Sequence, residues 1–168
     1  MPVEVSCDLK GAGRYARGVR DDAIRLLDFA NLPEAELSLL LTGDQRIAEM
    51  NRAYRRKSGP TDVLSFGRFG SVRSKTGPID TVKLPLAIDN LLGDVVISVE
   101  TAARQAREME QSVPRRLRTL LVHGFLHLLG LDHQRAVEAR LMFAVQESFE
   151  ARLEQGAGTP RRHPRTTR

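Results

Sequence analysis

The chain has 168 residues, 41% of them hydrophobic and 28% charged, which predicts one globular domain with a single core. Its lone cysteine, Cys7, excludes an internal disulfide, and no apolar run approaches the roughly 20 residues that a membrane-spanning helix needs. The N-terminal residues lack a basic segment followed by an apolar stretch, so we expect no secretory signal and a cytoplasmic location.

The formal net charge of +5 is concentrated at the C-terminal end of the chain. Residues 155–168 contain four arginines and no acidic residue; removing these four from the 26 lysines and arginines leaves 22 basic against 21 acidic residues. We therefore predict a nearly neutral domain over residues 1–154 and a basic, disordered tail over 155–168, which is too poor in apolar residues to fold alone. Such a tail could contact phosphates non-specifically or remain a solvated extension.

The first half of the chain alternates between strand and helix patterns. The expected segments are a strand over 2–9, a helix over about 14–31, a strand over 37–41 and a helix from residue 44. Cys7 falls on the apolar side of the first strand and is expected in the core. Asp44 is placed to cap the second helix, whose inner face carries Ile47, Met50 and Tyr54.

The second half of the chain becomes increasingly helical. The expected segments are a strand over 63–66, a long excursion over 67–92, a strand over 94–98 and helices over about 99–111, 113–129 and 135–154. Ser98 and Ser112 are placed as helix caps, and Gly130 as a C-terminal stop. The inner faces of the last two helices carry Leu117, Leu120, Leu121 and Leu128, then Val137, Leu141, Val145, Phe149 and Leu153. Because strands and helices interleave without a clean β–α–β repeat, we predict a single-domain α+β fold with helices on a mixed four-stranded sheet.

Three of the four histidines lie within eleven residues, at His123, His127 and His133. His123 and His127 are four apart and share one face of a helix, and a turn at Gly130 could return His133 to that face. Three imidazoles around one ion leave the fourth position open, as in catalytic zinc sites. The pattern predicts one zinc ion per chain at the end of this helix, although imidazole also suits copper, nickel and iron.

Zinc held by neutral histidines keeps its full charge, and it can lower the pKa of a bound water from near 16 to about 7, which favours hydrolysis as the reaction. Zinc peptidases carry a glutamate general base directly after the first histidine. Gly124 occupies that position here. Since glycine offers no base and costs about 1 kcal/mol within a helix, either close packing or room for a substrate must explain it. A peptidase is therefore disfavoured.

Two further features could serve such a site. Asp132 could orient an imidazole by accepting its second N–H, or it could be a turn residue. Basic residues also cluster at 52, 55, 56 and 57, before the strand at 63–66. These cations could complement the helix dipole, or one arginine could clamp a phosphate through its planar fork.

The segments NRAYRRKSGPTDVLSF, LGDVVIS and HGFLHLLGLDH occur in that order and together resemble the YbeY family of bacterial rRNA maturation factors. The resemblance covers roughly residues 35–150. It implies an α+β domain and places the family's zinc ligands at His123, His127 and His133 and its arginine at Arg55. There Arg55 would stabilise charge on the phosphorus under attack by water or by the RNA's own 2′-hydroxyl.

The resemblance implies a single-strand-specific, zinc-dependent endoribonuclease that matures the 3′ end of 16S rRNA and acts in late ribosome quality control. The implied partners are single-stranded RNA and the small ribosomal subunit, with ribosomal proteins or assembly GTPases as further candidates, and no membrane. Two alternatives stay open: a non-enzymatic assembly factor stabilised by zinc, and a metal-dependent hydrolase of another bond. The stretch between PTDVLSF and LGDVVIS is longer than usual for the family, and the arginine-rich tail is not a family hallmark.

Overall fold

A mixed sheet forms the centre of the computed structural model, which describes residues 2–56, 58–67, 90–131 and 136–156. Its elements in chain order are β1 (Val3–Cys7), α1 (Gly13–Phe29), β2 (Glu36–Thr42), α2 (Asp44–Arg55), β3 (Val63–Gly67), β4 (Leu91–Ser98), α3 (Val99–Glu108), α4 (Val113–Leu128) and α5 (Ala136–Gly156). The four described strands lie in the order β1-β2-β4-β3, with β1, β2 and β4 parallel and β3 antiparallel to β4. The predicted α+β fold with a mixed four-stranded sheet is confirmed.

The two faces of the sheet are covered by different helices. Side chains alternate between faces along a strand, so Val95 and Ile97 join the main core, which α1 and α4 cover with residues such as Leu121. Val96 and Leu64 point to the other face and pack against Ile47 of α2 in a smaller cluster. Edge strand β3 therefore contacts α4 on one face and α2 on the other.

Three predicted helix ends are confirmed. The hydroxyl of Ser98 accepts a hydrogen bond from the Thr101 backbone N–H at 3.1 Å, and Ser112 caps α4 in the same way. Gly130 has a φ of +88°, its N–H donates to the carbonyl of His127, and the next N–H donates to Leu126. This pair of bonds is a Schellman motif, which ends the helix one residue after its second histidine.

Two predictions about the first half of the chain are wrong. Cys7 is exposed at the C-terminal end of edge strand β1 and is not in the core. Tyr54 is 70% exposed, because it lies at the last turn of α2 and reaches only the edge strand β3.

The cap of α2 also differs from the prediction. Gly43 is the cap residue and makes no side-chain cap hydrogen bond. The carboxylate of Asp44 bonds instead to Ser98 and Thr101.

The inner face of α5 is predicted correctly only at its C-terminal end. Phe149 and Leu153 are buried, but Leu141 is 42% exposed and Val137 is 80% exposed. In an α-helix, each residue is rotated by about 40° about the helix axis relative to the residue four positions before it. A long series of positions spaced by four therefore turns away from the core. Met142 is buried in their place.

Element boundaries shift at both ends of the predicted excursion. Gly67 belongs to β3, and Leu91 and Leu92 belong to β4, so only positions 68–89 lie outside the described residues there. Helix α5 continues two residues beyond the predicted domain boundary at 154, and residues 157–168 also lie outside the described part. None of the helices within the described ranges is long and apolar enough to cross a lipid bilayer.

Candidate metal centre

His123 and His127 point toward each other near the C-terminal end of α4. Their Nε2 atoms are 3.0 Å apart, and their rings are tilted by 80° with centroids 4.6 Å apart. Two nitrogens that bind one tetrahedral zinc at about 2.0–2.1 Å lie about 3.3–3.4 Å from each other. The pair is therefore close to the spacing that a shared metal ion requires.

The remaining predicted site residues near this pair lie outside the described residues. They are Asp132 and His133, which follow the turn at Gly130. Among the residues that the structure does describe, no group of three or more histidine, cysteine, aspartate or glutamate side chains could hold a metal ion. The third ligand and the orienting role of Asp132 stay predictions.

Helix α5 supplies a hydrogen-bonded support for His123 that the sequence analysis missed. Gln146 Oε1 lies 3.2 Å from His123 Nδ1, and Gln146 Nε2 donates to Glu150 Oε1 at 3.0 Å. The hydroxyl of Thr119 donates to Glu150 Oε2 at 3.2 Å. This chain of bonds connects one imidazole of the pair to a carboxylate on a second helix, as around many metal-binding histidines. Gln146 is 23 residues from His123, so no local spacing could have revealed it.

Gly124 is explained by close packing of α4 on the sheet. A Cβ at this position would lie 2.8 Å from Val95 Cγ1, 3.1 Å from Ser65 Oγ and 3.2 Å from Val63 Cγ2. The Ser65 hydroxyl also donates to the Gly124 carbonyl at 3.0 Å. The residue after the first histidine thus faces the sheet, where a general base would have no access to a substrate.

Arg55 is the last residue of α2 and is exposed, as are Arg52 and Arg56. Arg56 ends the helix in the left-handed conformation, with a φ of +54°. Within the described parts of the chain, no hydrogen bond or ion pair joins Arg55 to the histidines. Lys57, the fourth member of the predicted basic cluster, lies outside the described residues.

Strand β3 connects the histidine helix to the arginine-bearing helix. Ser65 bonds to α4, whereas the next residue, Phe66, contacts Tyr54 of α2 with ring centroids 5.3 Å apart. Because consecutive side chains of a strand point to opposite faces, the two helices meet the same edge strand from opposite sides. The sequence signal for this arrangement is that VLSF carries apolar residues on both faces, with Val63 toward α4 and Leu64 and Phe66 toward α2.

Comparison with known proteins shows similarity along most of the chain. A family model described as Endoribonuclease YbeY matches residues 13–154. A curated relative named Endoribonuclease YbeY from Moorella thermoacetica is 49% identical over 118 residues, covering 70% of this chain and 72% of the relative. A relative of the same name from Anaeromyxobacter dehalogenans is 41% identical over 165 residues, covering 98% and 78% respectively.

The fold is also similar to a solved structure. The solution structure of TM1509 from Thermotoga maritima matches with a TM-score of 0.62 over 99% of both chains, at 18% sequence identity. At that identity the match concerns the fold alone, and it agrees with the single α+β domain described above.

Proposed function

Because this chain belongs to the Endoribonuclease YbeY family, we propose that it cleaves single-stranded RNA with the help of one zinc ion. His123, His127 and His133 would hold the ion. The proposed cellular roles are maturation of the 16S rRNA 3′ end and late ribosome quality control. The proposed partners are the small ribosomal subunit and, with it, ribosomal proteins or assembly GTPases.

The observation that carries this proposal is the convergence of two imidazole nitrogens at 3.0 Å in a chain of this family. A zinc ion bound there would supply Lewis-acid stabilisation of charge on a phosphate oxygen. Gln146 holds His123 through Nδ1, so that its Nε2 faces His127.

The proposed role of Arg55 is to bind the phosphate group that reacts. Its planar guanidinium can donate two parallel hydrogen bonds to phosphate oxygens and stabilise the charge that builds up on them. Gly124 argues against peptide hydrolysis because its position packs against Val95 and cannot carry a general base.

The direct test is cleavage of a single-stranded RNA by the purified full-length protein, with and without a chelator. We expect cleavage to require metal and to be lost in His127→Ala, which also controls for contaminating ribonucleases. Cleavage that persists equally in His127→Ala would contradict the enzymatic proposal. Absence of cleavage together with retained binding to the small subunit would favour the assembly-factor alternative.

A matched pair of variants on α2 tests the phosphate clamp. Arg55→Lys keeps the positive charge but removes the fork, and we expect cleavage to fall by about tenfold or more. Arg46→Lys makes the same change at an exposed position in the first turn, where Arg46 pairs with Glu49 at 3.7 Å, and should leave cleavage unchanged. Equal cleavage by both variants would exclude the clamp.

The cellular role needs a separate experiment. We expect cells that lack this protein to accumulate 16S rRNA with an extended 3′ end, which sequencing of rRNA termini would detect. Accurately matured ends in such cells would contradict the proposed maturation role.

A further inference from the structure

An exposed aromatic ring and three exposed arginines lie at the C-terminal end of α2. Tyr54 is 70% exposed, and its neighbours in the sequence, Arg52, Arg55 and Arg56, are exposed as well. In the described part of the chain, none of these three arginines forms an ion pair. An accessible ring together with nearby positive charges is the combination with which proteins bind single-stranded nucleic acids.

Phe66 holds the Tyr54 ring in place without covering it. The ring centroids are 5.3 Å apart and the ring planes are inclined by 70°. At this inclination Phe66 can cover at most one face of Tyr54, so a nucleobase could stack on the other. Phe66 itself is partly buried on strand β3 against the cluster around Leu64, so the ring rests on the sheet. An aromatic surface that is fixed before binding loses little conformational entropy when a base stacks on it.

Tyr54 is also placed where a bound strand could continue toward the histidines. Phe66 contacts Tyr54 from one face of β3, and Ser65 bonds to the Gly124 carbonyl of α4 from the other. Gly124 directly follows His123. Since β3 is an edge strand among the described strands, an RNA chain that crosses this edge passes from Tyr54 to the histidine helix.

We infer that Tyr54 is a stacking platform for one base of single-stranded RNA, with Arg52 and Arg56 contacting the phosphates on either side of that base. The inference rests on the proposed function and deepens it, because it names the surface that positions the strand while Arg55 acts at the reacting phosphate. It also gives a reason for single-strand preference, since a base must leave a duplex before it can stack on a protein ring.

The test compares two fluorescent oligomers of equal length and charge on the full-length protein. One is a single-stranded 2′-O-methyl oligoadenylate, whose blocked hydroxyls suppress cleavage, and the other is its abasic counterpart. We expect Tyr54→Ala to weaken binding of the oligoadenylate by about tenfold, within the range measured for base–aromatic stacking, and to leave binding of the abasic oligomer unchanged. Fluorescence anisotropy measures both affinities.

Three further variants and one control distinguish stacking from charge and from side-chain size. Tyr54→Phe should bind the oligoadenylate like the wild type, whereas Tyr54→Leu should bind it as weakly as Tyr54→Ala. Arg52→Gln should weaken the binding of both oligomers equally. It should also reduce the slope of the logarithm of the binding constant against the logarithm of the salt concentration by about 0.7. Phe143→Ala removes another exposed aromatic ring, on α5, and should change neither affinity.

The outcomes distinguish this inference from the proposed function. If the wild type binds oligoadenylate but Tyr54→Ala or Tyr54→Leu binds it equally well, the platform is wrong and the proposed function stands. An equal loss on both oligomers in Tyr54→Ala would also overturn the platform, because it would point to altered folding or phosphate binding. If the wild type binds neither oligomer, the result contradicts the proposed function and, with it, the platform that rests on that function.

Discussion

Gln146 is placed to determine which nitrogen of His123 would face a metal ion. Its amide orientation is fixed because Nε2 donates to Glu150, which leaves Oε1 as the atom beside His123 Nδ1. A carbonyl oxygen at that place favours the tautomer with a proton on Nδ1. The lone pair of Nε2 then points toward His127, where a metal ion would bind.

We expect Gln146→Ala to weaken zinc binding by about tenfold, because His123 would lose the acceptor that fixes its tautomer and ring orientation. Competition with a chromophoric chelator measures this affinity without any assay of activity. Glu147→Ala changes the exposed neighbour and serves as the control. Equal zinc affinity in Gln146→Ala and the wild type would show that Gln146 does not support zinc binding by His123.

At the scale of secondary structure elements, Gly124 lets α4 approach the sheet closely. We expect Gly124→Ala to lower the free energy of unfolding by about 1–2 kcal/mol, because the clash with Val95 and Ser65 outweighs the better helix propensity of alanine. The matched control is Gly18→Ala in α1, where a Cβ would meet no atom within 4 Å and which should stabilise the protein by up to about 1 kcal/mol. Urea unfolding measures both. Stabilisation by both substitutions would show that α4 can move away from the sheet freely.

Asp44 joins the first turn of α2 to the end of β4 and to α3. Its Oδ1 accepts hydrogen bonds from Ser98 Oγ and Thr101 Oγ1, both at 2.6 Å, and its Oδ2 pairs with Arg104 at 2.7 Å. Burial alone would raise the pKa of Asp44, but the hydrogen bonds from Arg104, Ser98 and Thr101 and the charge of Arg104 lower it from 3.8 to about 2.

Since the pKa of Asp44 is lower in the folded state than in the unfolded chain, the ionised group stabilises the fold above about pH 4, and this contribution is lost as the pH falls toward about 2. We expect Asp44→Asn to lower the free energy of unfolding by about 1–2 kcal/mol at neutral pH, through weaker hydrogen bonds. The difference from wild type should shrink below about pH 4 in urea titrations. Gln45→Asn, a substitution on the same helix at an exposed residue without an ionisable group, serves as the control. A difference that stayed constant into acid would contradict the assigned pKa.

Local patterns predicted element types and ends well, because caps and turns depend on neighbouring residues. Ser98, Ser112 and Gly130 act as their positions suggest. The same patterns failed where the burial of a side chain depends on which element packs against it. Tyr54 and Val137 have the spacing of a buried helix face, but no core lies beside them.

In the candidate site, too, local spacing was predictable and distant contacts were not. Spacing paired His123 with His127, but the contacts of Gln146 and Ser65 with α4 come from distant parts of the chain.

At the scale of the whole molecule, the predicted metal site would link α4 to the chain that follows it. The two described histidines lie on α4, Gln146 lies on α5, and the third predicted ligand comes after α4 and before α5 in the sequence. A ligand that binds only the folded protein stabilises it by mass action. Zinc should therefore stabilise the packing of α5 on α4 and, with it, the whole domain.

We expect zinc at a free concentration one hundred times its dissociation constant to raise the free energy of unfolding by about 2.7 kcal/mol. His127→Ala should abolish this gain, whereas Arg55→Lys should keep it in full, because Arg55 is not expected to bind the metal. Thermal unfolding with and without zinc measures the effect for all three proteins. If Arg55→Lys lost RNA cleavage but kept the zinc gain, catalysis and stabilisation would be separate properties of the site. If wild type and His127→Ala gained equally from zinc, the ion would bind elsewhere, and the predicted site would be wrong.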